Sequence, residues 1–129
     1  MAAIVRFFDA DNTEIANLHK QDYGNPFMFG VELAKVLEDF KTCDKYQNIN
    51  NRIYRMVTNV VSHFANSDLL IIPPNSSCND IEYLYEVKLV KNEIEFAVFL
   101  IPEDQHEDMV EFFIGAPEVF LKKIGKLIP

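Results

Sequence analysis

Strict two-residue alternation of apolar and polar side chains runs from Asp80 to Pro102 on both sides of Lys91-Asn92, and it leaves few choices of fold. It predicts two antiparallel strands joined by a tight turn at Lys91 and Asn92, with facing residues summing to 183. Ile94 then faces Leu89, Phe96 faces Val87, Val98 faces Tyr85 and Leu100 faces Tyr83, so one whole face is apolar or aromatic. On the other face Lys88 meets Glu95 as an expected cross-strand ion pair. Glu82, Glu86 and Glu93 look outward there, and Leu84, Val90, Phe99 and Ile101 interrupt the polarity. Lys-Asn is a weaker turn than Asn-Gly because only Asn enters the left-handed region cheaply, so a longer loop with a shifted register is the alternative.

The rest of the chain is read around this hairpin. Ala3 to Phe8 is a β-type run, Asp9 to Asn12 a turn and Thr13 to Leu18 a return, which together predict a second hairpin. A helix starts near Asn25-Pro26, and Phe29, Leu33, Val36, Leu37 and Phe40 give it one buried stripe. Thr42 to Asn48 connects it to a helix from about Ile49 to Phe64, whose apolar stripe is Ile49, Ile53, Met56, Val57, Val60, Val61 and Phe64. Leu69 to Ile72 reads as a short buried strand stopped by Pro73-Pro74. After Pro102, the acids Glu103 and Asp104 favour a helix N-terminus, with Met109, Val110, Phe112 and Phe113 on its buried side and Gly115 as its stop. Pro117 opens a last helix through about Ile124. The expected fold class is α+β: a mainly antiparallel sheet built from hairpins, packed on one face by about four helices. Without βα alternation a doubly wound nucleotide-binding sheet is not expected.

A chain of 129 residues fits one domain, residues 1–129, and can bury roughly two-thirds of its unfolded surface around a single core. Two cysteines, Cys43 and Cys78, without a CxxC motif or paired histidines, argue against a zinc site and against a disulfide-dense secreted scaffold. No leader-like run opens the sequence, and its apolar runs are too short to cross a bilayer, so a cytoplasmic setting is expected, in the protein's own cell or in a host cell. Asn75-Ser76-Ser77 then reads as a polar loop and not as a glycosylation site. The net charge of -8 is local: residues 80 to 111 hold ten acids against Lys88 and Lys91, and the remainder balances to zero.

Ile4 to Thr13, an apolar strand ending in Asp9-Ala10-Asp11-Asn12-Thr13, locally resembles the first motif of haloacid-dehalogenase-type phosphatases. The resemblance implies that Asp9 is a nucleophile and Asp11 a general acid, both beside a magnesium ion. It covers about ten residues; Glu14 stands where that family prefers an apolar residue, and no βα units follow to carry the later motifs. The plain alternative is a polar turn, which these residue types favour. An EF-hand is excluded, because Glu14 replaces the required Gly and Lys20 the bidentate Glu. His19, His63 and His106 have no Ser or Cys partner placed by a motif. Arg52 and Arg55, three apart on one helix, could grip a phosphate or simply be solvated. No catalytic residue, metal ligand or cofactor is assigned on the leading reading.

The acids are different, because two elements carry them. Glu103, Glu107 and Glu111, with Asp104 and Asp108 alongside, fall on one expected helix face about 6 Å apart, where like charges repel. A surface that tolerates this beside an acidic hairpin face suits a basic partner, although net charge of this size also serves solubility. The expected function is therefore a small non-enzymatic protein that occludes a basic, nucleic-acid-binding surface on another protein. A nucleic-acid mimic, an anti-defence inhibitor of the anti-CRISPR or anti-restriction type, and a toxin-immunity protein share that mechanism. Direct contact with nucleic acid or membrane is not expected. The expected partner-binding residues are Glu86, Glu93, Glu95, Phe99, Glu103, Asp104, Glu107, Asp108 and Glu111, with Leu84 as an alternative apolar anchor. The alternatives are a metal-dependent phosphohydrolase using Asp9 and Asp11, and a homo-oligomeric assembly protein, such as a homodimer, burying some of its eleven Phe and five Tyr.

Overall fold

The computed structural model describes residues 2–44, 51–76, 80–102 and 108–127. Strands β1 (Ala2–Phe8) and β2 (Glu14–Lys20) are followed by a π-helical turn at Pro26–Gly30 that runs into α1 (Val31–Cys43). Then come α2 (Arg52–His63), β3 (Leu69–Ile72), β4 (Ile81–Val90), β5 (Glu93–Leu100), β6 (Val110–Gly115) and α3 (Pro117–Leu127). The fold is α+β, a six-stranded sheet in the order β3-β2-β1-β4-β5-β6. Among the described residues only the central pair, β1 and β4, runs parallel. No helix among the described residues is long and apolar enough to cross a membrane.

The β4–β5 hairpin has the expected register throughout, from Tyr83 opposite Leu100 to Val90 opposite Glu93. Its two-residue turn puts Lys91 at φ 50° and Asn92 at φ 66°, the left-handed pair that matches the right-handed twist of the strands. Tyr85, Val87, Leu89, Ile94, Phe96 and Val98 point into the core, joined across the sheet by Ala3, Val5, Phe7 and Leu18. A chain of rings fills the space under the helices. Phe29 meets Tyr85 edge-on at 5.3 Å, Tyr85 stacks with Phe96 at 5.9 Å, and Phe120 meets Phe96 at 5.1 Å and Phe113 at 5.3 Å. Most of the unusual phenylalanine content is thus spent on this core. The Tyr85 hydroxyl donates to the Gly24 carbonyl at 2.6 Å, which ties the loop before α1 to the sheet, and burial pushes its pKa up.

Three sequence expectations change. The helix expected after Pro102 does not extend to Gly115: Val110–Gly115 is the edge strand β6, paired to β5, so the described residues hold three α-helices. The apolar residues 109, 110, 112 and 113 fit either period, and pairing with β5 decided for the strand. Leu69–Ile72 is a strand as expected, but it lies at the other edge of the sheet, where Leu70 and Ile71 are exposed. Lys88 and Glu95 do face each other, yet the Lys88 ammonium sits over the Phe8 ring, 5.0 Å from its centroid, and the expected ion pair is not closed.

The connection from β3 to β4 must pass β2 and β1, and hydrogen bonds fix where it passes. The Ser76 carbonyl accepts from Arg6 Nη2 at 3.3 Å and from Asn17 Nδ2 at 3.2 Å, while the Glu14 carboxylate accepts from the Asn75 N–H and pairs with Arg6 at 3.3 Å. Arg6, Asn17 and Glu14 all project from the face opposite the helices. Asn75 and Ser76 of this connection therefore lie over that outer face, on its β1–β2 half.

Candidate interaction surface

The outer face of the β4–β5–β6 half is set by strand register, because residues directly opposite share a face. One row runs Phe8, Lys88, Glu95; the next Arg6, Glu86, Ala97, Ile114; the third Ile4, Leu84, Phe99, Glu111. Ile4, Leu84 and Ala97 are buried in this face, Glu86, Glu95 and Phe99 are half-buried, and Glu82, Glu93, Glu111 and Ile114 are exposed. An apolar centre is thus ringed by carboxylates.

The cations nearby are largely engaged. Arg6 is shared between Glu14 and the crossover carbonyl, and Lys88 is turned to Phe8. Lys41 reaches Glu93 at 3.7 Å at the hairpin tip, where Glu93 still has nearly three-quarters of its side chain exposed. Counting Glu14, Glu82, Glu86, Glu93, Glu95 and Glu111 against Arg6, Lys88 and the Lys41 that reaches Glu93, the face carries an excess of three negative charges. Glu86 and Glu95 are diagonal neighbours, roughly 7–8 Å apart by sheet geometry. Their repulsion costs about 0.5 kcal/mol in water, small enough for the fold to carry. Glu82 also helps burial raise the Tyr83 phenol above its ordinary pKa.

Of the expected partner-binding residues, Glu86, Glu93, Glu95, Phe99 and Glu111 therefore belong to one sheet face, with Leu84 at its centre. Asp108 is exposed just before β6. Glu103, Asp104 and Glu107 lie outside the described residues, as do His106 and Cys78. The single helix face expected to carry Glu111 with Glu103 and Glu107 is corrected by β6, which brings Glu111 opposite Phe99 instead.

Other candidate groups have structural partners. Asp9 Oδ1 accepts from the N–H of Asp11 at 2.9 Å and of Thr13 at 3.0 Å, and Asn12 takes φ 65°, so this carboxylate closes the β1–β2 turn. Arg55 forks onto Asp44, with Nε 3.2 Å from Oδ1 and Nη2 3.0 Å from Oδ2, and Arg52 Nε lies 3.5 Å from Oδ2. The two arginines expected to suit a phosphate thus hold the carboxylate that ends α1. Arg52 also donates to the Asn92 carbonyl at 3.1 Å, docking the hairpin tip on α2. No sequence motif announces this junction, because it depends on how α1 and α2 meet. Beside it is an open groove of about 900 Å³, whose lining includes Phe40, Cys43, Tyr54, Asn59 and His63. Among the described residues no group of three or more His, Cys, Asp or Glu side chains is arranged to hold a metal ion. Comparison with protein-family models, with curated proteins and with solved structures finds no match.

Proposed function

We propose that this chain is a non-enzymatic binding protein whose acidic outer sheet face occludes a basic surface on a partner protein, one that would otherwise contact nucleic-acid phosphates. The observation behind the reading is the register of β4, β5 and β6, which gathers Glu86, Glu95 and Glu111 around Leu84, Phe99 and Ile114 on one sheet surface. A sheet positions these charges without further ordering cost, and a field of one sign steers a basic partner while the apolar centre offers it an anchor. Nucleic-acid mimicry, inhibition of a nuclease-type defence system and neutralisation of a toxin are three targets for the same chemistry, in a cytoplasmic setting.

The test is capture from lysate by the purified protein at low and high salt, compared with the Glu86→Lys/Glu95→Lys/Glu111→Lys triple variant. Recovery of a basic nucleic-acid-binding protein, lost at high salt and weakened roughly ten- to hundredfold by the triple variant, is expected. Unchanged affinity in a folded triple variant would remove the proposal.

A further inference from the structure

The sheet has two edges, and they are chemically unlike. At β6 the ladder to β5 is broken by a bulge, the Phe112 carbonyl accepts from the Lys123 ammonium at 2.6 Å, and Asp108 and Glu111 add negative charge. A bulge, a lysine and like charges are the devices that keep a foreign strand from joining an edge. β3 itself carries no bulge, lysine or acid, and its protection is limited to its four-residue length and Pro73 at its end. It pairs with β2 in unbroken register from Asn17–Ile72 to Lys20–Leu69, consists only of Leu69, Leu70, Ile71 and Ile72, and leaves Leu70 46% and Ile71 71% exposed. Among the described residues no further strand pairs with it. Because the Gln21 N–H donates to the Asp68 carbonyl, antiparallel alternation turns Leu70 and Ile72 toward β2 and the N–H and C=O groups of Leu69 and Ile71 outward, where another extended strand completes them.

We propose that β3 pairs antiparallel with β3 of a second copy of this chain, about a two-fold axis perpendicular to the sheet, making one continuous twelve-stranded sheet. Such an axis keeps inner faces with inner faces and passes between two copies of one residue, so two registers keep three facing pairs within β3. Centred on Ile71, Leu70 faces Ile72 of the partner copy; centred on Leu70, Leu69 faces Ile71 of the partner copy. Both put aliphatic side chains opposite one another.

Charge chooses this edge and this occupant. Pairing through β6 would bring the acids Asp108 and Glu111 of two copies within one or two strand spacings. Pairing through β3 leaves the two β4 strands seven spacings apart, roughly 34 Å, several times the Debye length of about 8 Å. The acidic faces would stand at opposite ends of the joint sheet, each open to its own partner. With only four residues in β3, and Pro73 at its end, the dimer is weak and depends on concentration.

Sedimentation equilibrium from micromolar to millimolar protein tests this. The apparent mass should rise from 14.9 kDa toward twice that value. Ile71→Lys should stay monomeric, and Ile114→Lys on the β6 side should dimerise like the parent chain. Amide exchange at Leu69 and Ile71, whose N–H groups point away from β2, should slow as concentration rises, a readout that needs no variant. A chain that stays monomeric throughout, with concentration-independent exchange at β3, would overturn the proposal and leave the edge to a strand of an unlike protein or to solvent. A dimer that persists in Ile71→Lys, or disappears in Ile114→Lys, would place the interface elsewhere and overturn it equally.

Discussion

Gly30→Ala sets two well-known effects against each other, and the structure decides the sign. Gly30 has ordinary helical angles, φ -58° and ψ -43°, at the start of α1, so the backbone does not require glycine. Helix propensity alone would favour alanine by about 1 kcal/mol. The added Cβ, however, would lie 3.2 Å from Phe120 Cζ and 3.3 Å from both Cε1 and Oη of Tyr85. Neither ring has room to yield: both are fully buried, Tyr85 is held by Gly24 and stacked on Phe96, and Phe120 is wedged against Phe96 and Phe113. Overpacking costs about 1–3 kcal/mol, and disturbing the Tyr85–Gly24 hydrogen bond adds about 1 kcal/mol. The variant should therefore lose about 1–3 kcal/mol net, read as a lower urea midpoint with an unchanged slope. Gly125→Ala is the internal control. It lies in α3 with nothing within 4 Å of the new Cβ, and should gain a few tenths to about 1 kcal/mol. If Gly30→Ala were stabilised as much as Gly125→Ala, the packing argument for the ring chain beneath α1 would be refuted.

Lys91→Asn should stabilise the hairpin by roughly 0.5–1 kcal/mol, because position 91 holds φ 50°, which Asn tolerates better than Lys; a lower melting temperature would contradict the turn geometry. Glu14→Ala should cost about 2–4 kcal/mol, because it strips Arg6 and the Asn75 N–H of their shared carboxylate, and amide exchange at Asn75 should quicken even where the global fold persists. Asp68 is pushed up by burial, but the hydrogen bond and charge of Lys20 outweigh this and hold its pKa below the ordinary value. Its contribution to stability is full above the unfolded value near 3.8 and is lost as pH falls through the lower folded value. Asp68→Asn should thus destabilise at neutral pH by about 1–3 kcal/mol, leaving Lys20 nearly buried with the Asp22 carbonyl as acceptor, and the gap should narrow in acid; a constant gap to low pH would count against the pair.

How far the sequence could be read follows from the range of each interaction. The β4–β5 pairing was legible residue by residue, because its two strands are adjacent and alternate in one register, with the turn residues between them. The parallel pairing of Ala3 with Tyr83 joins distant segments and leaves no local trace. For Leu69–Ile72, an all-aliphatic run suggests burial, but it cannot tell a central strand from an edge one. Val110 to Ile114 was ambiguous because its β-branched and aromatic residues also fit a helical stripe, and the preceding acids imitate a helix N-terminus.

That ambiguity bears directly on the acidic surface. A helix from Glu103 would have displayed Glu111 on a second element, with its position relative to the hairpin left open. The strand removes that freedom. Hydrogen bonding to β5 fixes Glu111 opposite Phe99, one row from Ala97 and Ile114 and on the face that already holds Glu86 and Glu95. Charge reversal at Glu111 should consequently weaken partner binding as reversal at Glu86 or Glu95 does, and since Glu111 stands two strands from Glu86 and two rows from Glu95, the effects should be close to additive. A reversal at Glu111 that leaves affinity unchanged, while reversals at Glu86 and Glu95 lower it, would put β6 outside the bound surface, and the reading of one continuous acidic face would fail.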